Sequence, residues 1–352
     1  MGKELRITFY GDFTFGENYQ ARYDYQEKVN ILRQKGYDYL FNEVEHFFNK
    51  SDYNIVNLES PITNVQKSDL ENKKACIHWC DIEIAPKIMK KYNIHAASLG
   101  NNHGYDYGEE GLKQSLEALE QEGIEYFGAG RNIEEAKKYI TKSFEIGERK
   151  LNLYVFGGYK YREDYDKEFH FYAGANKGGV NLLMPECVSD TIKTIKSEDE
   201  NSFIVMFPHF GFDLQKTVPM QKEMARGFID AGADMVIGHG PHMMNQIEYY
   251  NGKPIVYSLG NFIFPADFRG RMTPLNLVCS LVFKEDSLKP VYELYPVYMD
   301  TNSKTPQTRL CKKEEINEVI KRLLEEDGDD SIKNSISQDD SNPLGICLTL
   351  NI

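Results

Sequence analysis

Asp230-Ala231-Gly232-Ala233-Asp234-Met235-Val236-Ile237-Gly238-His239-Gly240-Pro241-His242 is the stretch that decides how this chain is read. Lys216–Ala231, leading into it, has a helical pattern. Met235–Ile237 is a short apolar run of the kind that forms a buried strand, and it ends at Gly238-His239. Helix, strand, then a histidine at the strand's carboxyl end is one unit of an α/β layer. Ligands in such folds gather at carboxyl ends of strands, where loops aim side chains together.

Working outward, the same unit recurs. Leu5–Tyr10 reads as a strand ending in Gly11-Asp12. Tyr37–Asn49 reads as a helix with Tyr37, Leu40, Phe41, Val44, Phe47 and Phe48 on one face. Tyr53–Leu58 is a strand, Ile82–Tyr92 a helix, Ile94–Leu99 a strand, and Gly108–Glu122 a helix with Leu112, Leu116 and Leu119 at helical spacing. Leu151–Phe156, Phe203–Phe207 and Ile255–Leu259 are further strands. From about Leu275 the alternation stops. Leu277–Phe283 and Val291–Val297 read as adjacent antiparallel strands, Lys312–Glu326 as a charged helix, Gly328–Asn342 as a polar flexible segment, and Pro343–Ile352 as a closing strand. The expected division is a domain over residues 1–300 and an extension over 301–352. No internal repeat is visible.

The strand ends collect Asp12, Glu59, Asn102, His103, His209, His239 and His242. Carboxylates, imidazoles and one amide oxygen suit a borderline divalent transition metal such as Mn²⁺, Fe²⁺ or Zn²⁺. A carboxylate bridging two such ions would set them about 3.5–4 Å apart. Taken singly, each residue has an ordinary reading as a turn, a solvated loop acid or a satisfied histidine. Their joint placement behind apolar strands is what points to a metal site.

The bulk composition agrees with an enzyme-sized soluble protein. The 352 residues are 41% hydrophobic, enough for a full core. The formal charge of −13, from 54 acidic and 41 basic residues, repels polyanions and argues against nucleic-acid binding. No window reaches the roughly 20 apolar residues of a membrane span. No signal peptide is visible, so the chain as it stands reads as cytoplasmic, with a removed leader left open as the alternative. Six scattered cysteines are too few for a disulfide scaffold, and reduced thiols without a metal role fit them better than zinc at Cys76-x-x-x-Cys80. Lys73-Lys74 reads either as an anion clamp or as a solvated basic patch. The tyrosine-rich stretch Tyr154–Tyr172 reads either as a substrate-covering loop or as an ordinary surface loop. Oligomeric state is not legible.

Several blocks resemble the CapA family, associated with poly-γ-glutamate capsule biosynthesis. They are Gly11-Asp12, Asn57-Leu58-Glu59-Ser60-Pro61, Leu99-Gly100-Asn101-Asn102-His103-Gly104-Tyr105-Asp106-Tyr107-Gly108, Phe127-Gly128-Ala129-Gly130-Arg131-Asn132, His209-Phe210-Gly211, the Asp230–His242 stretch and Tyr257-Ser258-Leu259-Gly260-Asn261-Phe262. That family is in turn similar to the calcineurin-like metallophosphoesterases, which implies a four-layer α/β/β/α sandwich. Carried over by position, the resemblance implies that Asp12 binds a first metal, that Glu59 stands where the superfamily has a bridging Asp, and that Asn102 binds a second metal. It places His209, His239 and His242 in the coordination, His103 beside the leaving group as general acid, and Asp106 behind His103. Asn261 and Lys74 are weaker candidates for substrate contact. The sequence departs from the superfamily at Thr14, where a histidine ligand is usual, and in the spacing His239-x-x-His242. One ion or two is therefore open. The implied activity is a metal-dependent hydrolase acting through metal-activated water on a phosphoester or a γ-glutamyl, capsule-related substrate. The implied partner is an anionic small molecule or a glutamate polymer. The rival reading is a non-catalytic capsule-polymer assembly or binding factor with a degenerate metal site.

Overall fold

The computed structural model describes residues 4–19, 30–266, 273–299, 305–324 and 335–351. Among them, two large sheets face each other. The ten-stranded sheet runs Ile336–Asp339, Cys347–Leu350, Ser287–Met299, Leu275–Lys284, Glu4–Phe13, Tyr53–Leu58, Ala96–Ser98, Glu125–Phe127, with Asn261–Ile263 and Thr308–Leu310 added at its sides. The six-stranded sheet runs Ile247–Tyr250, Lys253–Val256, Met235–Ile237, Ser202–His209, Arg149–Tyr159, Ile140–Ile146.

The layers follow from alternation along the strands, since successive side chains point to opposite faces. Leu5, Ile7, Phe9, Tyr53 and Ile55 from the large sheet meet Leu151, Leu153, Val155, Phe203, Val205 and Phe207 from the small one in a single core. Their neighbours Tyr10, Phe13, Val56 and Leu58 face away, into a second core with helices Glu45–Lys50, Ala85–Lys91 and Gly108–Glu122. On the far side of the small sheet, Phe156, Ile204, Met206 and Val236 pack against Val188, Ile192, Met224 and Phe228 of helices Pro185–Glu198 and Pro219–Ala231. The expected four-layer α/β/β/α sandwich is thus the observed one.

The expected elements are found with shifts that have local causes. The helix expected over Tyr37–Asn49 is split into a 3-10 turn, Tyr37–Leu40, and a helix, Glu45–Lys50. Its apolar face is still largely buried: Phe41 keeps helical dihedrals and stacks on Tyr92 with centroids 3.8 Å apart, and the backbone departs from the helix at Val44, with φ −131° and ψ 0°. The helices expected from Ile82 and Lys216 begin at Ala85 and Pro219, each with a proline in its first turn, where the missing N–H is not needed. Leu275–Lys284 and Ser287–Met299 are the expected antiparallel pair. Part of the stretch expected to be polar and flexible is ordered: Ile336–Asp339 is a strand paired with Cys347–Leu350, within the expected closing segment. The rest of that expectation, over 328–334, and the end of the Lys312–Glu326 helix lie outside the described residues. No helix among the described residues is long and apolar enough to cross a membrane.

Candidate metal centre

Both sheets deliver their carboxyl-end loops to one place. Asp12 lies near the end of the central strand Glu4–Phe13, Glu59 follows Tyr53–Leu58, and Asn102-His103 follow Ala96–Ser98. From the other sheet, His209 ends Ser202–His209 and His239 follows Met235–Ile237. The approach is tight enough to require glycine. A Cβ on Gly100 would sit 2.5 Å from the backbone of Gly158, across the two sheets. Gly240 has φ of 112° and passes under the His209 ring, where a side chain would clash. His242 itself has φ of 57°, a left-handed conformation that costs a non-glycine residue about 1 kcal/mol or more.

Asp12, His209 and His239 offer ligand atoms within 4.8 Å of one another, and so do Asp12, Glu59 and His242. Asp12 is therefore the carboxylate common to both groups, whereas the resemblance put Glu59 at the shared position. Every member is buried. Asp12 Oδ1 accepts from Asn57 Nδ2 at 2.9 Å and Oδ2 from the Gly240 N–H at 3.2 Å, so the carboxylate is fixed. His209 and His239 face each other Nδ1 to Nδ1 at 2.9 Å. Glu59 Oε1 lies 3.6 Å from His242 Nε2 and 3.8 Å from His209 Nε2. Both Glu59 oxygens and Asn102 Oδ1 are buried without a hydrogen-bond partner among the described residues. Buried acceptors are almost always satisfied, so three orphans in one cluster call for a donor or a cation.

The electrostatics agree. Burial pushes the His103 and His209 imidazoles well below the ordinary histidine range and His239 down to about 4, which leaves neutral rings with lone pairs to offer. Burial pushes the Glu59 carboxyl well up, opposed by His242. Against burial, Glu59 and Asp12 lift His242 above its ordinary value. Two buried carboxylates competing for one imidazolium form a cluster short of positive charge, and a divalent ion would supply it.

His103 and Asp106 stand beside this cluster. Asp106 Oδ2 is 2.6 Å from His103 Nδ1, while His103 Nε2 lies 3.9 Å from Glu59 Oε1. Lys74 is turned inward: its ammonium donates to the Asn102 carbonyl at 2.6 Å and to Asp106, and lies 3.0 Å from His103 Nδ1. Asn261 Oδ1 lies 3.0 Å from His242 Nδ1, where it orients that ring. Thr14 hydrogen-bonds Ser60 Oγ at 2.6 Å and the Gly16 N–H, outside both ligand groups. A cavity of about 290 Å³ opens over Asn102 and His103, walled by Lys73, Arg162, Tyr165 and Phe169 among others. The tyrosine-rich stretch thus contributes one wall of it.

Three supporting residues were not singled out from the sequence as site residues. Asn57 holds Asp12, and Asn101 Nδ2 holds Asn57 Oδ1 at 3.0 Å while its Oδ1 accepts from the His103 N–H. His78 stacks on His103 with centroids 3.5 Å apart and contacts the Glu59 carbonyl through Nδ1 at 3.0 Å. Asn57 and Asn101 adjoin residues that were read as ligands, which is the one signal that pointed to them. His78 had none beyond lying between two cysteines.

The model of the family described as bacterial capsule synthesis protein PGA_cap matches residues 6–266. The chain belongs to that family. Its PGA_cap region is similar to the PGA biosynthesis protein CapA of Bacillus subtilis, 33% identical over 264 residues, which are 74% of this chain and 63% of that one. The capsule biosynthesis protein CapA of Bacillus anthracis is 28% identical over 269 residues, 74% of this chain and 60% of that one. This PGA_cap chain therefore spans less than two thirds of the length of these relatives. Among solved structures, the calcineurin-like phosphoesterase YfkN from Bacillus subtilis aligns over 82% of this chain and 88% of its own, with 12% identity and a TM-score of 0.45.

One buried acid of this PGA_cap chain lies off the cluster and yields a stability prediction. Glu17 accepts from Tyr37 Oη and the Asp81 N–H through Oε1, but its Oε2 has no hydrogen-bond partner among the described residues. Burial raises its carboxyl to about 7 from 4.5. The folded state then holds a proton that the unfolded state releases, so stability is highest below about pH 4.5 and falls as pH rises to about 7. Glu17→Gln mimics the protonated acid. It should stabilise the protein at pH 8 by up to roughly 3 kcal/mol and by nearly nothing at pH 4.5. Urea denaturation at both pH values checks this; equal effects at the two would refute it.

Proposed function

We propose that this chain is a metal-dependent hydrolase that cleaves a phosphoester or a γ-glutamyl, capsule-related bond. The observation that carries the reading is the pair of ligand groups sharing Asp12, with the orphaned Glu59 and Asn102 oxygens beside them. These residues fit one or two divalent ions: carboxylate, imidazole and amide donors, buried, converging and undersupplied with protons. A divalent ion there supplies a Lewis acid for a phosphoryl or carbonyl oxygen and an activated water.

The chain's own residues do the rest. Asp12, Glu59, Asn102, His209, His239 and His242 hold the metal, with Asn57 and Asn261 fixing the angles of Asp12 and His242. His103 Nε2 faces the cluster; in the imidazolium form, which Asp106 at Nδ1 would support once an anionic substrate is bound, it would hand its Nε2 proton to the leaving group. Lys74 neutralises Asp106 and ties it to the Asn102 backbone. The cavity wall carries Lys73 with Arg162 paired to Asp164 and with Asp213, so a preference for an anionic substrate would come from the metal rather than from the wall, and the names of the CapA relatives make a glutamate polymer one candidate.

The test is elemental analysis of gently purified protein, thermal unfolding with added Mn²⁺, Fe²⁺ or Zn²⁺, and a panel of phosphoester and γ-glutamyl amide substrates. A ligand at 100 times its Kd should add about 2.7 kcal/mol to the folded state. The expected result is bound metal, a raised Tm and metal-dependent turnover. Absence of metal together with absence of stabilisation defeats the proposal. Tight metal without turnover of either class would favour a non-catalytic capsule-assembly factor instead.

A further inference from the structure

A second cavity, of about 350 Å³, shares no lining residue with the one over His103. Its size suits a small organic ligand. Two aromatic pairs wall it. Tyr139 and Phe156 stack with centroids 4.3 Å apart, and Tyr161 and Tyr172 lie 6.2 Å apart and 16° from parallel. Cys187, on helix Pro185–Glu198, completes the wall.

The walls are held in place. Tyr172 Oη donates to the Lys160 carbonyl at 2.6 Å and accepts from the Arg162 N–H at 2.9 Å, which fixes that ring by its far end. Tyr161, by contrast, is 46% exposed and leaves a large ring face uncovered. A fixed aromatic slot with an open ring at its mouth suits a flat apolar body, because ring faces attract ring edges and faces in offset geometry.

The rim charges add polarity. Asp166 at the rim already accepts from Tyr161 Oη at 3.4 Å. Lys137, also at the rim, makes no side-chain hydrogen bond or ion pair among the described residues. The mouth thus carries one charge of each sign: Asp166, turned toward Tyr161, and Lys137, the cation left to meet a ligand's anionic end. We propose that this cavity is a second binding site, which takes a small carboxylate with an aromatic body, the ring between the aromatic walls and the carboxylate at Lys137. It stands independently of the hydrolase reading.

Two exposed thiols make the test. Cys187 lies on this cavity and Cys76 on the cavity over His103, while the other four cysteines are buried. The full chain is treated with iodoacetamide, and the alkylation rate of each thiol is read by peptide mass spectrometry with and without 3-phenylpropionate. Protection scales as 1 + [L]/Kd, so a site of about 1 mM affinity should slow Cys187 about fivefold at about 4 mM probe. Cys76, on the cavity proposed to take anions, should be slowed no more by 3-phenylpropionate than by acetate, whereas Cys187 should need the ring. Phenethylamine, with the same ring and the opposite charge, should protect far less. Lys137→Met should lose the protection, read as the ratio of rates with and without probe, since the lysine also acts on the thiol directly. Tyr161→Ala, an exposed position that should not disturb folding, should weaken it several-fold. No protection of Cys187, equal protection by phenethylamine, undiminished protection in Lys137→Met, or equal slowing of both thiols would each overturn the proposal.

Discussion

His103→Ala should lower turnover by about 10²–10⁴-fold, the range for loss of a general acid, while leaving metal content unchanged. The geometry separates the two roles. His103 belongs to neither ligand group, and its Nδ1 is engaged by Asp106 at 2.6 Å. Its Nε2 is held 3.9 Å from Glu59 Oε1, too far for a hydrogen bond and on the side where the cavity opens. A substrate bound at the cluster would meet that nitrogen first. The substitution also removes a ring stacked on His78, so some stability should be lost whatever the catalytic role. Metal stoichiometry is what distinguishes the cases. If His103→Ala loses metal as completely as His239→Ala does, His103 is a ligand and the assignment is wrong. Asp106→Asn is a less clean probe, because Asp106 also accepts from Lys74 and from the His78 N–H.

Much of this site is legible in sequence because strands are short and their ends are sharply marked. Asp12, Glu59, His209 and His239 each follow an apolar run, and backbone direction alone sends them to one edge of the sandwich. What the sequence hides is which side chain faces which. Nothing in local pattern shows that Asp12 belongs to both candidate groups of acids and histidines, because that depends on how the two sheets are packed. Lys74 shows the same limit. A Lys73-Lys74 pair reads as an anion clamp or a solvated patch, yet a buried Asp106 turns Lys74 inward. The helix split at Val44 marks another limit: periodicity finds the buried face, with Phe41 stacked on Tyr92, but not the break in the backbone.

Asp12→Asn should have the larger effect on metal, because Asp12 serves both ligand groups whereas His242 and His239 serve one each. The amide keeps the shape and an acceptor for Asn57 but turns a donor toward the Gly240 N–H, so the fold should survive at the cost of that one hydrogen bond. Its consequences for stability should reverse with metal. Without metal, Asp12 and Glu59 share one imidazolium, His242, while His209 and His239 are neutral, so two buried acids are compensated by a single positive charge and the excess is costly. Removing one charge relieves that, so the variant should equal or exceed the parent in Tm when both are measured in EDTA. With saturating Mn²⁺, the parent gains binding free energy, about 4 kcal/mol at 1,000 times Kd, and the variant should gain little of it. The two stability orders therefore cross. A purely structural role for Asp12 predicts a variant that is weaker under both conditions by the same amount, and stabilisation of Asp12→Asn by Mn²⁺ equal to that of the parent would remove Asp12 from the metal site altogether. His242→Ala provides the graded comparison: it leaves Asp12, His209 and His239 together, so it should retain part of the metal-dependent stabilisation that Asp12→Asn loses.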